Sequence, residues 1–242
     1  MPRRPRLTAG DLAYHVLNRR VGRLPLFDKP TDYTTFEKIL AEAQDSTGIR
    51  IAAYCLMPNH WHLLLWPRRD AELSEVLRWI TVTHTQRGHA HHKTAGSGPV
   101  YQGRFKSFPV QTDGHFLTVA RYVERNALRA KLVDRAEDWH WSSLWRRAQG
   151  DATLTAWLRD WPVERPRDWV ARVNRPHTRR SWSRSVSRCN GAARSGKMPG
   201  CGGWSGGLDW SRGYGLAGDR KGPEHKLQII SVVSILAGKT QL

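Results

Sequence analysis

The sequence predicts an α+β fold in which one antiparallel sheet has its helices packed on one face. Strand and helix patterns are mixed in the order β-α-β-β-α-β-α, and the strand segments are long and apolar. Only Pro58 and Asn59 separate two of these strands, which indicates a tight break between them. With 242 residues, the chain has room for one domain of ordinary size and an extension.

The first half of the chain contains three of the predicted strands and one helix. Residues 11–20 form the first strand, and a turn-rich stretch follows it. Residues 32–44 carry apolar side chains at helical spacing, so they predict a helix. Arg50–Met57 and His60–Trp66 are the next two strands.

The second half begins with a helix at residues 71–87, whose apolar side chains lie along one face. A loop rich in His and Gly, residues 89–99, leads to a strand at residues 100–111. A helix at residues 114–133 follows, with Asp113 as its N-cap.

Three histidines in that loop, His89, His91 and His92, raise the idea of a metal site. The flanking Thr, Gly and Ser residues instead favour a mobile, solvated loop. A second metal site at these three histidines is therefore the less favoured alternative.

His60 and His62 are the strongest candidates for metal ligands. Side chains on a strand alternate between its two faces, so both imidazoles project from one face while Trp61 points into the core on the other. A His-x-His pattern often occurs by chance. Burying two imidazoles in so apolar a strand costs free energy unless something binds them, however, so the pair predicts a clamp for a divalent metal ion.

The helix at residues 114–133 carries Tyr122 and Asn126 one turn apart, on the same face. A basic stripe runs beside them at the same spacing and consists of Arg121, Arg125 and Arg129. A helical Tyr is usually a residue at the edge of the core, and an arginine stripe is usually a solvated face. If they converge on a metal site, however, they supply a nucleophile, a third ligand and a phosphate clamp for phosphoryl transfer.

Charge and composition predict a nucleic-acid partner. Thirty-nine Lys and Arg against 21 Asp and Glu give a net charge of +18, mostly from Arg, which binds phosphate through two parallel hydrogen bonds. Arg104 and Lys106, two apart on a predicted strand, would share a face and contact the DNA backbone; a plain exposed face is the alternative.

Three cysteines without zinc-ligand spacing fit a reducing compartment. The late apolar run at residues 227–236 is too short to cross a bilayer. We therefore expect a soluble, cytoplasmic protein associated with the nucleoid.

Five ordered blocks of the sequence resemble the REP-associated tyrosine transposases. They are residues 14–19, 57–62, 103–107, 122–133 and 139–144. These transposases are relatives of the insertion sequence (IS) 200-like transposases, within the His-hydrophobic-His (HUH) endonuclease superfamily. The resemblance spans roughly residues 6 to 177. One departure is Ala127, because the family usually has Pro after the Asn of its Tyr-x-x-x-Asn motif.

The resemblance implies a ferredoxin-like α+β fold, which is the HUH endonuclease core. It also implies that the protein is a metal-dependent endonuclease and strand transferase. Such an enzyme acts on single-stranded or hairpin DNA, in transposition or in the mobilisation of REP elements. Tyr122 would attack a backbone phosphate and leave a 5′-phosphotyrosine link, while His60, His62 and Asn126 hold Mg²⁺ or Mn²⁺. The expected DNA contacts are Arg19, Arg104, Lys106, Arg121, Arg125 and Arg129. No general base is identified, and the protein is expected to be a monomer or a homodimer.

Two other functions remain open. A catalytically inactive, domesticated DNA-binding protein would keep the fold and the basic surface; the intact set of His60, His62, Tyr122 and Asn126 argues against it, and the abnormal C-terminal sequence argues for it. An RNA-binding sheet module is disfavoured because the aromatic RNP signature is missing.

We divide the chain into an IS200-like nuclease domain (residues 1–145), a helical C-terminal extension (146–177) and an irregular, low-complexity tail (178–242). The tail loses hydrophobic periodicity and is dominated by Gly, Ser, Arg and Trp, as expected of a disordered segment that adheres to nucleic acid. The alternative is a frameshift near residue 178. Codons for residues 190–201, read one nucleotide earlier, permit a Gly-Arg-Pro-x-Gly-x-x-x-Trp pattern similar to the C-terminal region of this family, and genomic DNA would decide between the two.

Overall fold

The computed structural model describes residues 8–110, 113–149 and 152–176. Within these ranges the chain forms an antiparallel sheet flanked by helices, as the sequence predicts. The strands are β1 (Ala13–Arg19), β2 (Arg50–Met57), β3 (His60–Trp66) and β4 (Lys106–Val110). Their order across the sheet is β2-β3-β1-β4, so β3 is an inner strand.

The described helices follow the chain as α1 (Pro30–Thr47), α2 (Glu72–His92), α3 (Asp113–Glu124), α4 (Asn126–Arg129), α5 (Ser143–Ala148), α6 (Ala152–Thr155) and α7 (Trp169–Asn174). Local sequence sets the bounds of α1. Pro30 opens the helix, where its missing N–H group is not needed, and Gly48 closes it in the left-handed conformation (φ 71°).

Helices cover both faces of the sheet. As predicted, α1 and α2 pack on one face, against β3 side chains such as Trp61 and Leu63. The helix α3 packs on the opposite face, against Cys55 and Leu64, so the prediction that the helices lie on one face is wrong for α3. The reason is that β2 and β3 are apolar on both sides, and both sides must be shielded from water.

Strand register places the histidines next to specific neighbours. In the β2–β3 hairpin Met57 pairs with His60 and Cys55 with His62. On the other side of β3, Leu17 of β1 pairs with His62. Both histidines therefore lie within the sheet, on the face covered by α3.

Three predicted elements differ from the structure. The helix α2 continues to His92, so His89 and His91 are helical rather than part of a loop. The strand β4 starts at Lys106, so Arg104 lies in the preceding loop and does not share a strand face with Lys106. The helix predicted at residues 114–133 is interrupted at Arg125.

The interruption between α3 and α4 has a local cause. Asn126 donates from Nδ2 to the carbonyl oxygen of Tyr122 at 2.9 Å. That carbonyl is the acceptor that the backbone N–H of Asn126 would use in an unbroken α-helix. A short amide side chain competes in this way with the backbone of its own helix.

The predicted extension at residues 146–177 contains α6, α7 and the second half of α5, and it returns to the sheet. Trp157 and Leu158 join the core under α1 and α2, whereas Trp169 and Val173 join the core under α3. The boundary between nuclease domain and extension stays a prediction. The tail at residues 178–242 lies outside the described residues.

No helix in the described part of the chain is long and apolar enough to cross a membrane.

Candidate active site

His60 and His62 are buried on the α3 face of the sheet, with exposed fractions of 8% and 0%. Their ring centroids are 5.0 Å apart and the ring planes are nearly perpendicular. Among the described residues, neither Nε2 atom has a hydrogen-bond partner. A buried polar atom without a partner is costly, so two such nitrogens side by side indicate a site for a ligand.

Each histidine is held through its other ring nitrogen. Nδ1 of His60 lies 2.6 Å from Oδ1 of Asn59, an oxygen that can only accept a hydrogen bond. His60 therefore carries its proton on Nδ1, and Nε2 presents a lone pair. Nδ1 of His62 lies 3.0 Å from Nε2 of His15 and is protonated in the same way when His15 accepts. This arrangement of outer partners is typical of metal-binding histidines.

The environment keeps both imidazoles neutral. Burial, with a smaller effect from the positive charges of Arg19 and Arg129, lowers the pKa of His60 to about 4. Burial also holds the pKa of His62 well below its usual range, and the neighbouring His60 and His15 add to the effect. Only the neutral imidazole binds a metal ion, so both side chains have the required form at neutral pH.

Tyr122 of α3 meets the histidines across the interface between helix and sheet. Its ring is perpendicular to the rings of His62 and His15, with centroids 5.6 Å and 5.5 Å away. The side chain is half-buried, so the phenol stays open to solvent on one side. The tyrosine and the His-x-His pair, sixty residues apart in the sequence, therefore lie next to each other in the structure.

Asn126 and Arg129 complete this group. Asn126 is buried, and its Oδ1 accepts a hydrogen bond from Arg129 at 3.1 Å. The same guanidinium nitrogen of Arg129 lies 3.4 Å from the hydroxyl oxygen of Tyr122. A carboxamide oxygen has two lone pairs, so Oδ1 retains one for a further partner.

These residues fit a divalent metal ion. Neutral imidazole nitrogens and a carboxamide oxygen are both groups that a divalent metal ion accepts, and the two nitrogens have no partner among the described residues. Imidazole ligands favour Mn²⁺ over Mg²⁺ because of their softness.

Arg19 and Lys106 lie on the histidine face of the sheet. Arg19 pairs with His60 between β1 and β3. Lys106 pairs with Leu17, which in turn pairs with His62. Residues directly opposite each other in neighbouring strands share a face, so Lys106 is two strand spacings, roughly 10 Å, from His62.

The three arginines of the predicted basic stripe make contacts in two different places. Arg125 donates to the carbonyl oxygens of Val173 and Asn174 at 2.7 and 2.8 Å, and Arg121 donates to the carbonyl oxygen of Arg175. Both guanidinium groups therefore hold the C-terminal end of α7, where unpaired carbonyl groups favour cations. Of the stripe, Arg129 is the member hydrogen-bonded to the tyrosine and asparagine of the site.

Sequence reasoning missed His15. Its ring stacks on that of His62 with centroids 5.2 Å apart, and burial lowers its pKa to about 4. The signal was a single histidine at an apolar strand position, but its partner depends on the register between β1 and β3, which the sequence does not show.

Comparison with known proteins agrees with this architecture. The family model described as "Transposase IS200 like" matches residues 8–126, from just before β1 to the first residue of α4. A solved structure of a REP-associated tyrosine transposase bound to a REP hairpin has a TM-score of 0.51 and 20% identity, over 68% of this chain and 92% of that chain. This match shows the same fold.

A putative transposase from Deinococcus radiodurans R1 has a TM-score of only 0.34 and 19% identity, over 51% of this chain and 96% of that chain, and adds no further support. No curated protein matches the sequence. The family match, together with the shared fold, leads to one assignment: residues 8–126 form a transposase domain of the IS200-like family, whose members are DNA-processing enzymes.

Proposed function

We propose that this transposase cuts and rejoins single-stranded DNA with Tyr122 as its nucleophile and a divalent metal ion held by His60, His62 and Asn126. One observation carries the proposal. Two buried imidazole nitrogens without partners among the described residues lie beside a half-buried tyrosine whose ring packs on His62. A site with these groups has a nucleophile and a place for the charge of a phosphate.

In the proposed first step, the phenolic oxygen of Tyr122 attacks a backbone phosphorus atom. A Tyr–O–P bond forms, the bond from phosphorus to the 3′ oxygen breaks, and the phenolic proton is lost while the 3′ oxygen gains one. A second 3′-OH reverses the step at a new junction. No ATP is required, because one phosphodiester replaces another.

A bound divalent ion would polarise the scissile phosphate. The chain's own cations would act together with that ion. Arg129 hydrogen-bonds both Tyr122 and Asn126, and Arg19 lies beside His60. These guanidinium groups are placed to neutralise the phosphate oxygens as charge develops there.

We propose that the DNA substrate contains a hairpin. The solved transposase with the same fold is bound to a REP hairpin. In this chain the exposed Arg104 lies in the loop before β4, and the exposed Lys106 is the first residue of β4, on the face that carries the site. We propose that both contact the phosphate backbone of such a hairpin.

The test of this function is the covalent adduct. The wild-type protein, incubated with Mn²⁺ and a hairpin oligonucleotide with single-stranded flanks, should give a cleaved strand and a protein–DNA adduct on a denaturing gel. Tyr122→Phe keeps the packed ring but removes the attacking oxygen, so both products should disappear while DNA binding stays near wild type.

Tyr14→Phe is the matched control, because Tyr14 lies on β1 but belongs to the core on the opposite face of the sheet. This variant should cleave like the wild type. An adduct formed by Tyr122→Phe would exclude Tyr122 as the nucleophile. No adduct from the wild type with any hairpin DNA would favour the rival function, a catalytically inactive DNA-binding protein.

A further inference from the structure

A second group of possible metal ligands lies where the last turn of α2 meets the first turn of α1. Asp32 comes from α1, and His91 and His92 are the last two residues of α2. One ligand atom from each of the three side chains lies within 4.8 Å of the others. Nε2 of His92 is 3.4 Å from Oδ1 of Asp32, and the two imidazole centroids are 4.9 Å apart.

The backbone positions Asp32 for this role. The side chain is buried, and its Oδ2 accepts hydrogen bonds from the backbone N–H groups of Asp28 and Lys29, each at 2.9 Å. The other oxygen, Oδ1, points toward His92. Burial alone would raise the pKa of this carboxyl group, but the two backbone hydrogen bonds and the nearby histidines hold it below its usual value.

The two histidines have the exposure that an incoming ion requires. Both are exposed to solvent, whereas the carboxylate beneath them is not. The neighbouring His89 does not belong to the group, because its Nδ1 lies 2.9 Å from the hydroxyl oxygen of Thr94. The cluster therefore combines one fixed, buried oxygen ligand with two accessible nitrogen ligands.

We propose that Asp32, His91 and His92 bind a divalent cation of the zinc type. Two imidazoles and one carboxylate form a known three-ligand set for Zn²⁺, in which water takes the fourth position. This site is separate from the group around His62, because α1 and α2 pack on the opposite face of the sheet from α3.

A cation here would join the C-terminal end of α2 to the N-terminal end of α1. The segment that leaves α2 at Lys93 leads to Arg104 and then to β4. The ion would therefore fix the start of the loop that presents Arg104. Its role is structural, and it does not depend on whether Tyr122 is a nucleophile.

The test uses the full chain with His60→Ala and His62→Ala, so that the ligands on the other face do not contribute. Calorimetric titration with Zn²⁺ should show one site per chain, and the ion should raise the melting temperature. Adding His91→Asn or His92→Asn should weaken binding more than roughly tenfold, since even an outer partner of a metal ligand is worth about that much. Adding His89→Asn, the matched control, should leave affinity unchanged.

Both histidines are exposed, so these changes should not impair folding. Two results would overturn the proposal. One is no stoichiometric Zn²⁺ binding by the parent chain, which would leave a simple ion pair between Asp32 and His92. The other is equal affinity in the parent and in both asparagine variants, which would place the ion on other histidines.

Discussion

At the scale of single residues, the two histidines of the site differ in the partners that orient them. His60 is oriented by Asn59, its neighbour in sequence, whereas His62 is oriented by His15 from another strand. A hydrogen bond to one ring nitrogen fixes which nitrogen carries the proton and therefore which one is available to a metal ion. His15 is thus a positioning residue for His62.

Substitutions at His15 distinguish its hydrogen bond to His62 from the packing of its ring against His62. His15→Phe keeps an aromatic ring against His62 but removes the hydrogen bond, so we expect Mn²⁺ affinity to fall about 10- to 100-fold with the fold retained. His15→Gln places a polar atom near the same position and should recover part of the affinity. Calorimetric titration of both variants, with His62→Ala as the reference for a lost ligand, gives the comparison. Wild-type Mn²⁺ affinity in His15→Phe would leave His15 with packing alone.

At the scale of secondary-structure elements, the basic side chains serve two purposes. Arg121 and Arg125 project from α3 and its junction with α4 but hydrogen-bond the end of α7, whereas Lys106 at the start of β4 is exposed. The first two hold elements together, and the third is available to a phosphate group. A basic stripe in a sequence therefore combines residues with different functions.

Lys106→Gln and Arg125→Gln should affect different properties: the first DNA affinity, the second thermal stability. Lys106→Gln should weaken binding about equally across DNA sequences and reduce the salt slope by about one, because a backbone contact carries no base information. Arg125→Gln should lower the melting temperature and leave the salt slope nearly unchanged, since its guanidinium group caps a helix. Binding isotherms at several salt concentrations and thermal melts measure both effects. A loss confined to one target sequence in Lys106→Gln would mean that this residue contacts bases.

A helix near the far end of the described chain is essential to the α3 core. Trp169 of α7 is buried and donates from Nε1 to Glu124 at 2.6 Å, and that carboxylate is itself fully buried. Removing α7 would expose apolar surface and leave the carboxylate with one fewer hydrogen bond. Both effects destabilise the helix that carries Tyr122.

At the scale of the whole molecule, two truncations therefore give different outcomes. A chain ending at residue 176 keeps every contact described for the site and should still form the DNA adduct. The removed tail carries eleven Lys and Arg against three Asp and Glu, so this chain should bind DNA more weakly at low salt. A chain ending at residue 164 loses Trp169 and Val173 and should be less stable by about 3 kcal/mol or more, as denaturant unfolding would show. Equal stability of the two chains would contradict the role of α7.

Buried neutral histidines also make the whole molecule sensitive to acid. Burial lowers the pKa of His84 from 6.5 to about 4, so between these pH values the unfolded chain binds a proton that the folded chain does not. The contribution of His84 to the free energy of unfolding is therefore fully present above about pH 6.5. The free energy of unfolding decreases as the pH drops toward 4, by about 1.4 kcal/mol per pH unit for each such histidine.

His84→Gln should therefore flatten this pH dependence by about one proton. Denaturant unfolding at several pH values between 4 and 7 measures the slope. The exposed His140 provides the matched control, because His140→Gln measured at the same pH values shows the effect of replacing a histidine that is not buried. If the free energy of unfolding of His84→Gln has the same pH dependence as that of the wild type, then His84 is protonated equally well in the folded and the unfolded chain.

The sequence by itself determined the local parts of the site. His60 and His62 share a face because a strand alternates with period two, and Tyr122 and Asn126 share a face because a helix turns every 3.6 residues. The strands Arg50–Met57 and His60–Trp66 were predicted to the residue, since two apolar runs are bounded by a turn. These features depend only on neighbours along the chain.

The tertiary structure decided which of these parts meet. It placed α3 on the histidine face, paired His15 with His62 across 47 residues, drew Arg121 and Arg125 to the end of α7, and joined His92 to Asp32. Each of these contacts depends on strand register or on which face of the sheet a helix covers. Register and packing are set by the burial of the whole apolar surface, so no single motif contains them.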